Sequence, residues 1–181
     1  EAIEIGALEK VIITGEVVDH TGTRKTDFNG VLTPSVYDKP VTVQTLSNDG
    51  EDVFQFETRD NLIYKGNTSV KNGYFELTFI VPKDISYNMG DGKIFYYVQN
   101  EKEDGNGSTA SFGIGGTAAN ATSDNTPPLI DVYLNNEQFR SGDVVKNSAL
   151  LLVKLFDDSG INTVGTGIGH DLIAILDSNY S

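Results

Sequence analysis

From residue 10 to residue 100 the sequence repeats one arrangement, in which a short run of alternating apolar and polar residues is followed at once by turn-forming residues. The clearest run is Tyr74–Pro82, with the sequence YFELTFIVP. In an extended strand, successive side chains point to opposite faces. One face of this run carries Phe75, Leu77, Phe79 and Val81. The alternation predicts a half-buried β-strand whose apolar face belongs to a core.

The same pattern recurs often enough to predict a whole β-fold. Further strands are predicted at Lys10–Val18, Val31–Asp38, Val41–Leu46, Asp52–Thr58, Asn61–Val70 and Lys93–Asn100. The 19 glycines and the many Val, Ile, Thr, Tyr and Phe residues also favour strands joined by tight turns. About seven strands at this spacing are typical of an immunoglobulin-like β-sandwich. We therefore predict an all-β protein.

A change in composition predicts a domain boundary. The stretch 113–128, GIGGTAANATSDNTPP, is mostly small and polar, and is interpreted as a linker because it cannot bury much apolar area. We predict an immunoglobulin-like sandwich over residues 1–116, a linker over 117–126 and a second immunoglobulin-like β-domain over 127–181. The second domain has strand patterns in LIDVYLNNEQF, SALLLVKLFD and HDLIAILD. Three or four strands fall short of a sandwich, so we expect this domain to be incomplete and Ser181 to be a fragment boundary.

Charge and cysteine content exclude several classes of function. The formal net charge of −13, with no local Lys/Arg cluster, disfavours nucleic acid as a partner. No run of about 18 apolar residues is present, so direct membrane insertion is not expected. The first residues, EAIEIGALEK, lack the features of a signal peptide, so that an export signal would lie outside this sequence. The absence of cysteine excludes disulfides, thiolate metal sites and a cysteine nucleophile.

His170 and Asp171 are the residues most suggestive of catalysis, since a carboxylate can orient an imidazole as a general base. Neighbouring residues on a strand point to opposite faces, however, so these two side chains are not expected to meet. No serine lies in a G-x-S-x-G elbow either. We predict no catalytic residue and interpret His170 as architectural, with its imidazole bonded to a loop carbonyl.

Two other motifs contain residues of the kinds found in ligand sites. Asp157, Asp158 and Asn162 carry oxygen atoms of the kind that Ca²⁺ prefers, but their spacing does not match an EF-hand loop and acidic residues before Ser-Gly commonly form turns. Whether they bind an ion stays open. The glycine-rich stretches GIGG and GTGIGH precede no predicted helix that would present its amides to a phosphate. We predict no cofactor.

Adjacent aromatic residues offer a different kind of site. In the pairs Tyr74–Phe75 and Tyr96–Tyr97, alternation places one member in the core and the other on the sheet surface. Exposed tyrosines of this kind are compatible with binding of carbohydrate or peptide. The sequence therefore leaves open a binding surface made of aromatic rings.

Four blocks of sequence resemble a known family when they are taken together and in order. They are GEVVDHTG, DFNGVLTPSVYDKP, GYFELTFIVPKDISYNMGDGKIFYYV and FDDSGINTVGTGIGHDLIAILD. They resemble the β-domains that follow the catalytic domain in the PorU-type sortases of the type IX secretion system, which are gingipain-like cysteine peptidases of the Bacteroidetes. The resemblance runs from about Leu8 to Asp177. The catalytic His and Cys of that family belong to a preceding domain and correspond to no residue here.

The resemblance implies a function for the parent protein and an accessory one for this chain. The parent would be a cell-surface or outer-membrane-associated, extracytoplasmic peptidase and transpeptidase that cleaves C-terminal sorting signals and attaches cargo to lipopolysaccharide. This chain would be non-catalytic, with the parent's own peptidase domain and other secretion-system proteins as partners. The alternative is a surface module that binds carbohydrate or lipopolysaccharide.

We also expect self-association. If the domain over 127–181 is incomplete, Ala149–Phe156 would leave an unpaired edge and an apolar face with Leu150, Leu152 and Leu155 or their alternates. This surface could fold back onto the first domain or pair edge to edge with the same segment of a second chain. We expect the second solution, a homodimer, because it covers both copies of the surface at once, and we interpret it as a product of truncation.

Overall fold

The structure is a computed structural model, which describes residues 3–83, 85–119, 126–158, 160–161, 164, 172–176 and 179–180. Over these residues the structure consists of strands joined by turns and loops, without a helix, and no membrane-crossing helix is found there. The predicted all-β class is confirmed. The strands are β1 (Ile3–Ala7), β2 (Lys10–Glu16), β3 (Gly30–Tyr37), β4 (Val41–Gln44), β5 (Gln55–Thr58), β6 (Leu62–Lys65), β7 (Thr68–Lys71), β8 (Tyr74–Ile80), β9 (Gly90–Asp91), β10 (Lys93–Gln99), β11 (Asp104–Thr109), β12 (Phe112–Thr117), β13 (Leu129–Leu134), β14 (Leu151–Phe156), β15 (Ile175–Leu176) and β16 (Asn179–Tyr180).

The chain divides into two compact units, one formed by Glu1–Ala121 with Asn162–Ser181 and the other by Thr122–Ile161. The first unit contains a large sheet in the order β11-β10-β3-β7-β8-β2, with β6 also paired to β3, and a small sheet in the order β1-β12-β9. In the small sheet β1 and β12 run parallel. The second unit contains the antiparallel pair β13–β14. The predicted boundaries 1–116, 117–126 and 127–181 stay a prediction.

The main core lies between the large and the small sheet. Ile5, Phe112 and Ile114 come from the small sheet, and the large sheet supplies residues such as Val36 and Leu77. Apolar side chains from two facing sheets form a core of the sandwich type. The full set of buried side chains in this cluster is Ile5, Ala7, Val36, Ile63, Leu77, Phe79, Val81, Ile85, Ile94, Phe112 and Ile114. The predicted sandwich-like fold is therefore confirmed.

Strand β8 has the orientation that its alternation predicts. The buried side chains of this segment are Phe75, Leu77, Phe79 and Val81. The exposed ones include Tyr74 and Glu76. β8 pairs with β2 along its whole length, and this register keeps the apolar side chains in the core. A shift of the register by one residue would turn those side chains towards solvent.

The predicted single strand Asn61–Val70 is wrong, because the structure has two strands there. β6 pairs with Ser35–Tyr37 of β3, and β7 pairs with Gly30–Leu32 of the same strand. Gly66 and Asn67 separate the two strands. Glycine and asparagine are both disfavoured in strand interiors, which explains why the run breaks at this point.

The interpretation of residues 113–116 as linker is also wrong. They belong to β12, where Ile114 is fully buried between β1 and β9. Gly115 has a φ of 153°, and a Cβ at this position would lie 2.5 Å from the carbonyl oxygen of Asn88. The glycines of GIGG thus permit close packing of a core strand against a neighbouring loop.

Candidate functional site

The structure describes only part of the residues that the sequence singled out. His170, Asp171 and Asn162 lie outside the described residues, so the architectural role of His170 stays a prediction. Asp157 and Asp158 are described, and the carbonyl of Asp157 accepts a hydrogen bond from the amide of Gly160 at 3.1 Å, as in a turn. Within the described part of the chain, no group of three His, Cys, Asp or Glu side chains is placed to hold a metal ion.

A polar network around Asp38 was not predicted. Asp38 follows β3 and is only 2% exposed. Its Oδ1 accepts hydrogen bonds from the backbone amide of Lys39 at 2.8 Å and from Lys39 Nζ at 2.6 Å. Its Oδ2 accepts from Asn61 Nδ2 at 3.1 Å and from the amide of Ser86 at 3.3 Å. The buried carboxylate is therefore paired with a cation and with donors from three different segments.

The Asp38 network continues to the base of the β4–β5 hairpin. Arg59, the residue after β5, donates from Nη1 to the carbonyl of Asp38 at 3.1 Å and to that of Asp91 at 2.6 Å. Lys39, just before β4, also donates to the carbonyl of Ser86 at 2.9 Å. These bonds fix both ends of the hairpin to the sandwich, so the network determines where the hairpin projects.

The β4–β5 hairpin has one apolar and one polar face. Val43 and Phe56 are cross-strand partners, and Phe54 follows on the same side. Phe54 and Phe56 are 65% and 44% exposed, and their rings stack with centroids 6.3 Å apart. The opposite face carries Thr42, Gln44, Gln55 and Glu57. An isolated two-stranded hairpin is marginally stable in water, so a hairpin with an uncovered apolar face is a candidate interaction surface.

A second candidate surface is the outer face of the large sheet. Of the pair Tyr96–Tyr97, Tyr96 is half-buried against the core while Tyr97 is exposed. The pair Tyr74–Phe75 is divided in the same way, with Phe75 buried and its ring 5.9 Å from that of Tyr96. Burial raises the pKa of Tyr96 above its usual value. In both pairs, then, one ring is buried and the other lies on the sheet surface, as alternation implies.

Beside this face, at the end of the β10–β11 hairpin, lies an open groove of about 630 Å³. Its lining includes three acidic residues, Asp27, Glu101 and Glu103, and one basic residue, Lys102. Lys25 Nζ donates to Glu103 Oε2 at 2.5 Å, and this bond raises the pKa of Lys25. The acidic lining favours ligands that donate hydrogen bonds over ligands that carry negative charge.

The second unit presents a third exposed surface. In β13–β14, Ile130 faces Leu155, Val132 faces Val153 and Leu134 faces Leu151. Directly opposite residues share a face, so one side of this two-stranded sheet is apolar throughout. The expected set Leu150, Leu152 and Leu155 is wrong as a group, because Leu152 and Leu155 are three positions apart and lie on opposite faces. The alternates Leu151 and Val153 complete the apolar face.

These features define a sandwich-like all-β protein without a cysteine nucleophile, whose described residues offer exposed interaction surfaces. No protein-family model and no curated protein sequence matches the chain. Among solved structures, it is similar to the dimeric latent PorU from Porphyromonas gingivalis, with 37% sequence identity and a TM-score of 0.67. The match covers 95% of this chain and 16% of the PorU chain. The resemblance to the PorU-type C-terminal β-domain region is thereby confirmed.

Proposed function

We propose that this chain is a non-catalytic accessory region of a larger PorU-type cysteine peptidase of the type IX secretion system. The observation that carries the proposal is the match to PorU along 95% of this chain but only 16% of PorU. Without a cysteine, the chain supplies no thiolate for peptide cleavage. In this proposal the parent cleaves C-terminal sorting signals and attaches cargo at the cell surface, which makes the chain extracytoplasmic and outer-membrane-associated.

The reading frame around this sequence gives the most direct test of the proposal. Upstream sequence is expected to encode a domain with the Cys and His of a gingipain-like peptidase. The isolated chain is expected to hydrolyse no peptide substrate, with or without thiol reagents. An upstream region without such a domain would contradict the proposal, and so would hydrolysis by the isolated chain.

Within the parent, the β4–β5 hairpin is suited to hold the peptidase domain or another secretion-system protein. Its apolar face is fixed at both ends by the Asp38 network and is uncovered within its own unit. Residues 40–58 contain four acidic side chains and no Lys or Arg. Complementary surfaces pair opposite charges. The partner surface is therefore expected to be apolar at its centre and basic at its rim.

Phe56→Asp in the full-length parent is expected to lower the processing of sorting signals about tenfold. Burial of a Phe side chain contributes about 1.5–3 kcal/mol, and about 1.4 kcal/mol corresponds to a tenfold change in affinity. Processing is measured as the fraction of cargo that retains its signal. The matched control is Gln55→Asp, which adds the same charge on the polar face of the same strand. Equal processing in the two variants would exclude the hairpin as a docking surface.

The proposal includes self-association through β13–β14, supported by the apolar face of this pair. The PorU structure that the chain resembles is itself dimeric. We expect the chain to form dimers that Val132→Asp with Val153→Asp converts to monomers, since two facing carboxylates would be buried unpaired. Light scattering over a concentration series measures this. Asp131→Asn, on the opposite face of β13, should leave the dimer intact, and a wild-type chain that stays monomeric throughout would refute the pairing.

A further inference from the structure

Phe95 and Tyr97 are partly exposed aromatic side chains on the outer face of β10. They are 47% and 41% exposed. Because they are two residues apart on one strand, they point to the same side with their Cα atoms about 6.6 Å apart. Two large rings therefore stand next to each other on the surface of the large sheet. They are called the aromatic pair below.

Short polar side chains surround the aromatic pair. The strand register places Ser35 and Ser108 on either side of Phe95. It places Thr33 and Asn106 on either side of Tyr97. Since Ser, Thr and Asn are much smaller than Phe and Tyr, the rings rise above their neighbours while hydroxyl and amide groups remain within reach of whatever covers the rings.

The polar atoms closest to the rings are held in place. The Tyr97 hydroxyl donates to Asp104 Oδ2 at 3.0 Å, and this hydrogen bond raises the pKa of Tyr97. Lys93 Nζ lies 4.9 Å from the centroid of the Phe95 ring, which is the geometry of a cation–π contact. Thr33 Oγ1 donates to Asn67 Oδ1 at 2.8 Å. The surface thus combines apolar rings with oriented donors and acceptors.

This combination matches the chemistry of a sugar. A pyranose ring has a face of C–H groups, which packs on an aromatic ring, and a rim of hydroxyls, which require polar partners. The core of a protein interface is depleted of charged residues and of serine, whereas here Phe95 lies between two serines and Tyr97 is bonded to Asp104. Carbohydrate is therefore the ligand class that this face fits best.

The surface also indicates the size and charge of the ligand. Gln99 and Val31 are the next outward residues after Tyr97 and Thr33, and both line the open groove. The aromatic pair and the groove are therefore continuous along β10, which favours an extended ligand over a single sugar. Asp104 beside the rings and Glu101 in the groove accept hydrogen bonds from hydroxyls and repel phosphate or carboxylate groups. With Asp27 and Glu103 they outnumber the two basic residues of this surface, Lys93 at the Phe95 ring and Lys102 in the groove.

We propose that the aromatic pair and the adjoining groove bind a neutral oligosaccharide of pyranose units, which stacks on Phe95 and Tyr97 and extends along β10. The proposal does not depend on the accessory role of the chain. It assigns this face to carbohydrate and excludes the phosphorylated portion of lipopolysaccharide as its ligand.

The test titrates the whole chain with neutral hexasaccharides and follows the backbone amides by NMR. The probes are cellohexaose, xylohexaose, laminarihexaose and mannohexaose, with mannose 6-phosphate as the anionic probe. We expect at least one neutral probe to bind with a dissociation constant at or below about 1 mM. The amide shifts should concentrate on β10, β3 and β11. No binding to any neutral probe would overturn the proposal, as would binding of the phosphorylated sugar alone or shifts confined to other strands.

Substitutions of the two rings test whether Phe95 and Tyr97 contact the oligosaccharide. Phe95→Ser and Tyr97→Ser are each expected to weaken binding about tenfold or more. Tyr74→Ser is the matched control, since Tyr74 is a similarly exposed tyrosine on β8 of the same sheet. The amide spectrum of each variant shows whether it is folded. If both ring variants bind like wild type, or if Tyr74→Ser weakens binding equally, the assignment to the aromatic pair is wrong.

Discussion

Phe79→Ala is expected to lower the free energy of unfolding of the first unit by about 3–5 kcal/mol, which is the usual cost of deleting a buried phenylalanine. Phe79 is only 5% exposed and lies in the core between the two sheets. Its ring stacks on that of Tyr64 with centroids 4.7 Å apart. The truncation removes this contact and leaves a cavity that side chains fixed on two sheets cannot fill completely. Urea denaturation measures the change.

Two controls accompany Phe79→Ala. Phe95→Ala removes the same atoms from an exposed position on β10 and should cost less than about 1 kcal/mol. Glu76→Ala changes an exposed residue of β8 itself and should likewise cost little. If Phe79→Ala cost no more than Phe95→Ala, the assignment of the two faces of β8 would be incorrect.

Asp38→Ala is expected to destabilise the first unit by about 3–5 kcal/mol, although it removes no apolar contact. The change leaves the ammonium of Lys39, whose side chain is largely buried, without its ionic partner and bonded only to the carbonyl of Ser86. The amides of Ser86 and Asn61 lose an acceptor as well. Breaking a buried pair by removing one partner leaves an uncompensated charge, which is the source of the large cost. Thermal or urea unfolding measures it.

Asp60→Ala is the matched control for Asp38→Ala. Asp60 is exposed and accepts a hydrogen bond from the hydroxyl of Thr58 at 2.6 Å, so its loss should cost at most about 1 kcal/mol. The double variant Asp38→Ala with Lys39→Met should recover part of the stability, because it removes the stranded charge together with its partner. Equal costs for Asp38→Ala and Asp60→Ala would show that the network does not stabilise the fold.

Short sequence patterns predicted the features that depend only on neighbouring residues, such as strand positions and the buried face of a strand. The alternation in β8 predicted the strand, its buried face and the exposure of Tyr74. This works because side chains alternate between the two faces of any extended chain. The same rule correctly predicted that Tyr96 and Tyr97 face opposite sides of the sheet. It failed at β12, where a core strand with three glycines has the composition of a linker. In β12, the burial of Ile114 and the close contact between Gly115 and the backbone of Asn88 outweigh the low strand propensity of glycine.

The candidate sites were less predictable than the fold, because they are made by residues that are distant in sequence. Nothing in the local sequence of Asp38 indicates that Asn61 and Ser86 will bond to it. The polar rim of the aromatic pair likewise comes from β3 and β11, which lie on either side of β10 in the sheet. Such a site can be predicted from the sequence only when the order and register of the strands are already known.

The sequence by itself determined the all-β class, the apolar face of β8, the absence of thiol chemistry and the resemblance to PorU-type β-domains. Each of these follows from residue identity or from a short-range period. The tertiary structure alone decided that Asp38 is buried with partners from three segments, that the β4–β5 hairpin projects an apolar face, and that Phe95 and Tyr97 share a polar rim. These depend on pairing between distant strands, whose register is set by the packing of the whole core and not by any one segment.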